Sequence, residues 1–491
     1  MAATHVNTTL PTSPELIRLR SNIDESIKSP VLFLFLNAAF WLMASTILGF
    51  LASAKLAYPS LISDCLTYSK LQPIHMNALV YGWGVQSALG ILLWVSARRT
   101  HTFLEVGHAV LKVAAIFWNI TLTAGLIGIF LGKGSAMELL EMPKFTWLPM
   151  LLCYLPYAWV VTRMFARRYS DEGYLVSVWY AVGAALWFPW IFVTANVCLN
   201  CIPGGLGALG TGINAWYSNA LIVLFFTPVS LAAAYYFIPK ITAQPVGSRA
   251  LAQVGFWGLA VMGGWVGMQR FFGGPLAAWT VAASSAAGVM LLVPTILVSW
   301  NYHVTTVGKH HLIQTSPTLR FVFTGSLFYL VSGFLYLLLS AVTTGASFQF
   351  TQAWYGYQIA AIYGFYSMCA FGAIYFIVPR LTGTEWLSAG LIRWHFWIGV
   401  YGIAAIVIIS FVAGSQQADD LNSPAMWDQS FQTNVDNLCR YMPGKALGWL
   451  LIAVSNFFFL AHIMLMVAGL GRRSINPTLL PKPHHEDVHS H

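Results

Sequence analysis

Residues 71–100, LQPIHMNALVYGWGVQSALGILLWVSARRT, carry one imidazole, His75, near one end and a pair of arginines at the other. Nothing between them is charged. Hydrocarbon offers a backbone amide no partner, so a run of about 20 apolar residues crosses a bilayer as a helix. The stretch reads as a transmembrane helix anchored by basic residues at one interface, with a lone histidine near the other.

Runs of this kind recur through all 491 residues, of which 57% are hydrophobic and only 8% charged. Soluble domains carry about 25% charged residues. The chain is therefore an all-α polytopic membrane protein. About twelve transmembrane helices are expected, near 31–57, 74–97, 108–131, 145–167, 174–198, 212–238, 251–271, 275–302, 321–345, 354–379, 391–414 and 444–470. This divides the chain into an N-terminal segment (1–30), a membrane domain (31–470) and a His-rich tail (471–491). Arg98–Arg99, Arg163, Lys240, Arg249, Lys309, Arg320, Arg380 and Arg393 fall on one side with the N-terminus. By the positive-inside rule both termini are cytoplasmic. The net charge of +9 thus reflects topology and gives no reason to expect nucleic-acid binding. No cleavable signal peptide is expected in the polar first thirty residues. Cys65, Cys198, Cys201 and Cys439 fall on or near the outer side, where Cys65–Cys439 is a candidate disulfide and free thiols are the alternative. CLNC at 198–201 lacks the following histidine of a c-type haem attachment site.

The basic end of the opening stretch has two counterparts. GILLWVSARRT (90–100), AAAYYFIPKIT (232–242) and FGAIYFIVPRLT (371–382) each bring an aromatic-rich apolar run to a basic residue, with threonine close behind. They end the second, sixth and tenth spans, so the chain divides into three units of four helices. Counting back about 22 to 24 residues reaches His75 in the first, Ser218 in the second and Tyr357–Ile359 in the third.

LQPIHMNALVYGWG, AWYSNALIVLFFTPVSLAAAYYFIPK, FGAIYFIVPRLTG and LIRWHFWIGVYGIA, in that order, resemble haem–copper oxidase subunit I, in particular the catalytic subunit of cbb₃-type cytochrome c oxidases. The resemblance implies twelve helices in three arcs of four, set in a bacterial inner membrane. In active members these hold a low-spin haem b and a high-spin haem facing copper, and reduce dioxygen. Six-coordinate haem needs two strong axial donors, and the copper needs imidazoles.

Carried over residue by residue, most of these donors are missing. His75 matches the first low-spin haem ligand. The family's His-x-His pair, two positions apart and so facing opposite ways on a helix, falls on Tyr357 and Ile359. Ile359 cannot bind iron, while Tyr357 would do so only as tyrosinate. The copper histidine of the sixth span falls on Ser218, and the adjacent pair after the seventh falls on Gln269 and Arg270. Arg270 is a fixed cation where a copper cation would sit. The cross-linking tyrosine falls on Gly263, and SQQADDLNSP (415–424) shows no arginine for haem propionates. His395 matches a family histidine that is not an axial ligand.

Three readings follow. The first is a non-catalytic scaffold without haem or copper, anchoring c-type cytochrome and other membrane subunits of a respiratory electron-transfer complex. The second is a carrier of one haem b on His75. The third is a transporter, or a binder of quinone, lipid or another small molecule, using vacated haem cavities. Oxygen or nitric oxide reduction fits the ligand set least.

Overall fold

The structure, a computed structural model, describes residues 13–472 except 62, 169–175, 203–205 and 425–429. Most of the His-rich tail lies outside the described residues. The helices are α1 (Ser13–Ala57), α2 (Tyr68–Thr100), α3 (His108–Phe130), α4 (Trp147–Ala166), α5 (Val176–Asn200) and α6 (Ala208–Thr242). They continue with α7 (Arg249–Met262), α8 (Ala278–Thr306), α9 (Pro317–Ser340), α10 (Gln352–Thr382), α11 (Ala389–Asn422) and α12 (Met442–Val467). No break separates an N-terminal segment at residue 30: α1 runs through Pro30 as one helix.

Among the described residues, eleven helical stretches are long and apolar enough to cross a membrane. The expected seventh crossing, 251–271, is the exception. Helix α7 stops after 14 residues, and the chain turns through Gly263, Gly264 and Gly267 into a single 3₁₀ turn, Met268–Phe271. Gly267 has φ +109°, and a Cβ there would lie 2.3 Å from the Ala215 carbonyl oxygen. Only glycine can take this bend against α6. The bend directs Gln269 into the bundle and leaves Arg270 at its edge.

Helices α2, α6 and α10 form the centre. Their most apolar windows are 94–100% buried, against 39–50% for the others, which leave one face for lipid. These are the three helices that the repeat singled out, and the likeness extends to backbone detail. Each widens into π turns at matching depth, at Ala78–Gly84, Ile222–Phe226 and Ala360–Ser367. Wide turns upset the regular pairing of helix carbonyls, and neighbours bond to the carbonyls in these segments. Tyr366 donates to the Gly84 carbonyl at 2.6 Å and Trp118 to that of Tyr81 at 2.9 Å.

The basic ends also match. Thr100, Thr242 and Thr382 each donate a hydroxyl to the carbonyl four residues back. The residues after them, His101, Ala243 and Gly383, all cap their helices in the left-handed region. Aromatic rings from the three repeats converge here, Trp94 packing 5.4 Å from Tyr236, 6.0 Å from Phe237 and 5.9 Å from Phe376.

Candidate functional site

At their other ends the inner helices carry the positions named from sequence. His75 is fully buried. Its Nδ1 donates to the Ser45 carbonyl at 2.7 Å, and the Ser45 hydroxyl donates to the His75 carbonyl at 3.1 Å. With the proton on Nδ1, Nε2 is left with a lone pair and no partner. Trp449 packs edge-on at 4.5 Å, and a Cβ on Gly49 would lie 2.8 Å from the ring, so α1 leaves just enough room for the imidazole.

Two of the residues that the resemblance sets at copper-ligand positions, Ser218 and Arg270, meet at a residue that sequence reasoning missed. Glu138, in the loop joining α3 to α4, accepts from Arg270 Nη1 at 2.5 Å and from Gln358 Nε2 at 2.6 Å. Ser218 faces the same carboxylate. Asn214 clasps the Glu138 backbone on both sides, accepting from its N–H and donating to its carbonyl, each at 2.9 Å. Arg270 lies 4.8 Å from the Trp354 ring centre, adding a cation–π contact. Ser218 on α6 and Gln358, the neighbour of Tyr357 on α10, thus surround the Glu138–Arg270 ion pair.

Gln269 is also fully engaged. Gln269 accepts from Gly267 N at 2.6 Å and Ser284 at 2.5 Å, and donates to Tyr336 at 2.7 Å and Ser340 at 3.1 Å. Tyr357 stacks on Tyr336 at 4.7 Å, and Ile359 is fully buried. Beside Tyr357 a cavity of about 40 Å³ remains, lined in part by Tyr329, Tyr336 and Ala361. It has room for water but not for a porphyrin.

A second carboxyl sits one turn of loop away. Glu141 accepts from Asn77 Nδ2 at 2.6 Å, and between them the Leu139 carbonyl accepts from Tyr81 at 2.5 Å. Tyr81 in turn bonds Tyr217 at 2.7 Å, tying α2 to α6. Leu139 is fully buried with φ +60°, a strained conformation held by these contacts. The two carboxyls diverge. Burial would raise Glu138, but Arg270, Gln358 and Ser218 overcome it and hold the group below its usual range. Burial dominates at Glu141 and pushes it up to about 7, with the Asn77 bond opposing.

The other sequence candidates lie elsewhere. Cys65 and Cys439 are free thiols, so the expected disulfide is not formed; Cys439 Sγ instead donates to the Leu56 carbonyl at 3.4 Å. His395 shares a hydrogen bond with Tyr375 at 2.8 Å and stacks on Phe459. Among the described residues no three His, Cys, Asp or Glu side chains gather as a metal would require. The donors fit a haem–copper centre poorly. His75 offers one axial bond, Ile359 offers none opposite, and a copper ion would meet the Arg270 guanidinium. One cue to the missed site was present in the sequence. Glu138 and Glu141 are two of only 16 acidic residues in the chain, spaced three apart in a short loop.

Known proteins share this architecture. The family described as "Cytochrome C and Quinol oxidase polypeptide I" matches residues 29–435. A cytochrome c oxidase subunit 1 homolog of Agrobacterium tumefaciens is 25% identical, over 91% of this chain and 84% of its own length. The cbb₃-type cytochrome c oxidase subunit CcoN1 of Stutzerimonas stutzeri is 26% identical, over 77% of this chain and 81% of its own. A heme-copper terminal oxidase dimer has the same fold, with a TM-score of 0.74 at 13% identity over 92% of this chain and 87% of the matched chain. The chain therefore belongs to the cytochrome c and quinol oxidase polypeptide I family, as a multi-pass membrane protein resembling the cbb₃-type catalytic subunit.

Proposed function

We propose that this chain is a non-catalytic oxidase subunit I that anchors partner subunits of an electron-transfer complex in the bacterial inner membrane. The observation that carries this reading is the Glu138–Arg270 ion pair, one member of which, Arg270, stands where the resemblance puts a copper ligand. A guanidinium there repels a metal cation, and the carboxylate that neutralises it is already occupied. The scaffold itself is intact: three central helices tied together by Tyr81–Tyr217 and Trp83–Ser367 hydrogen bonds. Such a body offers other chains a rigid membrane surface without chemistry of its own. Its partners are c-type cytochrome subunits meeting the end opposite the basic residues, together with other membrane subunits.

Purified protein tests this directly. A pyridine-haemochrome spectrum and metal analysis are expected to show neither two haems nor copper, and c-type cytochromes are expected to co-purify. Two haems with stoichiometric copper would overturn the proposal.

A second reading has one observation in its favour, the unpartnered lone pair on His75 Nε2. It is the tautomer that an axial imidazole uses, with Nδ1–H on a carbonyl. If one haem b is bound there, the purified protein shows a Soret band that His75→Ala abolishes. If no Soret band is present, His75 is structural.

A further inference from the structure

Helix α7 has 14 residues, about 21 Å of rise, whereas the hydrocarbon layer is about 30 Å thick. Beyond its last residue, at the end opposite the basic residues, a recess of about 300 Å³ opens between α5, α6 and α8. Gly264, Trp265 and Met268 of the bend line it, together with Thr194, Ile213 and Trp216 of the neighbouring helices. A hollow, rather than helix, completes the seventh crossing.

The hydroxyls and the inner indole of this wall are already engaged. Thr194 donates to the Trp190 carbonyl at 2.8 Å, Thr280 to that of Ala277 at 2.7 Å, and Trp216 to that of Gly264 at 2.8 Å. Between Ile202 and Leu206 the α5–α6 loop reads Pro-Gly-Gly, so its sequence adds no polar side chain. A buried water needs two to four polar partners, and this wall is poor in them. Left empty, an apolar hollow forfeits contacts on every side. Trp265 and Trp279 stand at its rim, 54% and 67% exposed. Indoles take such places where hydrocarbon meets headgroups, so the recess opens toward lipid.

Size separates the two apolar occupants that a membrane offers. A transmembrane helix is 10–12 Å across, so one 5.4 Å turn fills about 400 Å³ or more. A polymethylene chain, at roughly the volume of a water per methylene, puts about ten groups into the recess.

We propose that this recess holds one acyl chain of a phospholipid from the leaflet at that end, with Trp265 and Trp279 donating to its ester carbonyls. Headgroup charge plays no part in the recognition. The proposal needs only a membrane-spanning chain and is independent of the scaffold reading.

The test uses the purified full-length chain in non-ionic detergent. Native mass spectrometry is expected to show one phospholipid surviving detergent exchange, with phosphatidylcholine and phosphatidylglycerol equally effective in rebinding. Gly264→Leu should fill the recess, because a Cβ there meets only the Trp190 ring, at 3.5 Å. Losing room for two methylene groups weakens binding about tenfold. Thr280→Leu intrudes from α8 and should act likewise, so a folding defect at one site leaves the other informative. Ala286→Leu, on the exposed face of α8 outside the recess, should leave the bound lipid unchanged.

Three results would overturn the proposal. The first is a native chain that keeps no lipid, or lipid that stays undiminished in both filled variants. The second is equal weakening by Ala286→Leu, which would mean lipid spread over the whole surface. The third is loss of the lipid whenever a membrane subunit co-purifies, since a partner's helix would then be the natural occupant.

Discussion

At the scale of single residues, the resemblance supplied candidate ligand positions, while the contacts that these residues make came only from the structure. Sequence alone assigned Ser218, Gln269, Arg270, Tyr357 and Ile359 to former ligand positions, because each aligns with a motif. Glu138 could not be found that way: it belongs to a loop, and its meeting with Arg270 depends on the bend at Gly267. The pair is intermediate in burial, with side chains 20% and 32% exposed. Its disruption should cost more than a surface pair and less than a fully buried one. Glu138→Gln or Arg270→Gln is expected to lower stability by about 1–3 kcal/mol in detergent melts. The double substitution should cost less than the two single ones summed, because neither leaves a stranded charge. Glu141 makes a separate prediction. Its carboxyl titrates near 7 in the fold against 4.5 for a free group, so the folded chain holds the proton more tightly. That contribution is complete below about pH 4.5 and fades as pH rises through about 7. Protection of the 131–143 loop amides, measured relative to their intrinsic exchange rates, should therefore fall across this window, and Glu141→Gln should remove that loss of protection. Glu138, held low, contributes oppositely: its share is present above about pH 4.5 and is lost only in stronger acid.

At the scale of elements, the threefold repeat was readable from three aromatic-to-basic endings, and the structure extends it to wide turns, threonine back-bonds and left-handed caps. What could not be read was the break in the seventh crossing. Hydropathy counts apolar residues and is blind to dihedral angles, so WGLAVMGGWVGMQRF looked like continuous helix. The caps permit a paired test. Ala243 adopts φ +53° where Gly383, in the corresponding place, adopts +69° without a Cβ. Ala243→Gly should stabilise the protein by about 1 kcal/mol, and Gly383→Ala should destabilise it by a similar amount. Thermal unfolding of the two variants, compared with the parent, measures both. Equal effects of the same sign would contradict the equivalence of the two caps.

At the scale of the whole molecule, the fold class followed from composition, because hydrocarbon leaves so few ways to satisfy a backbone. The free cysteines show where such reasoning ends: two thiols placed on the same side by topology need not point at one another. The central helices also bear on sidedness. They are 33, 35 and 31 residues long, or about 46–52 Å at 1.5 Å per residue, while the hydrocarbon layer is about 30 Å thick. With their basic ends anchored at one interface, the far ends stand well clear of the opposite one, even when tilted. Glu141 therefore exchanges protons with a single compartment. In sealed vesicles of uniform orientation, acidifying the medium on that face alone should raise the protection of the 131–143 loop relative to its intrinsic exchange rate, and acidifying the other face should leave it unchanged. The length of three helices would thus make the protein an electrode with only one wet side.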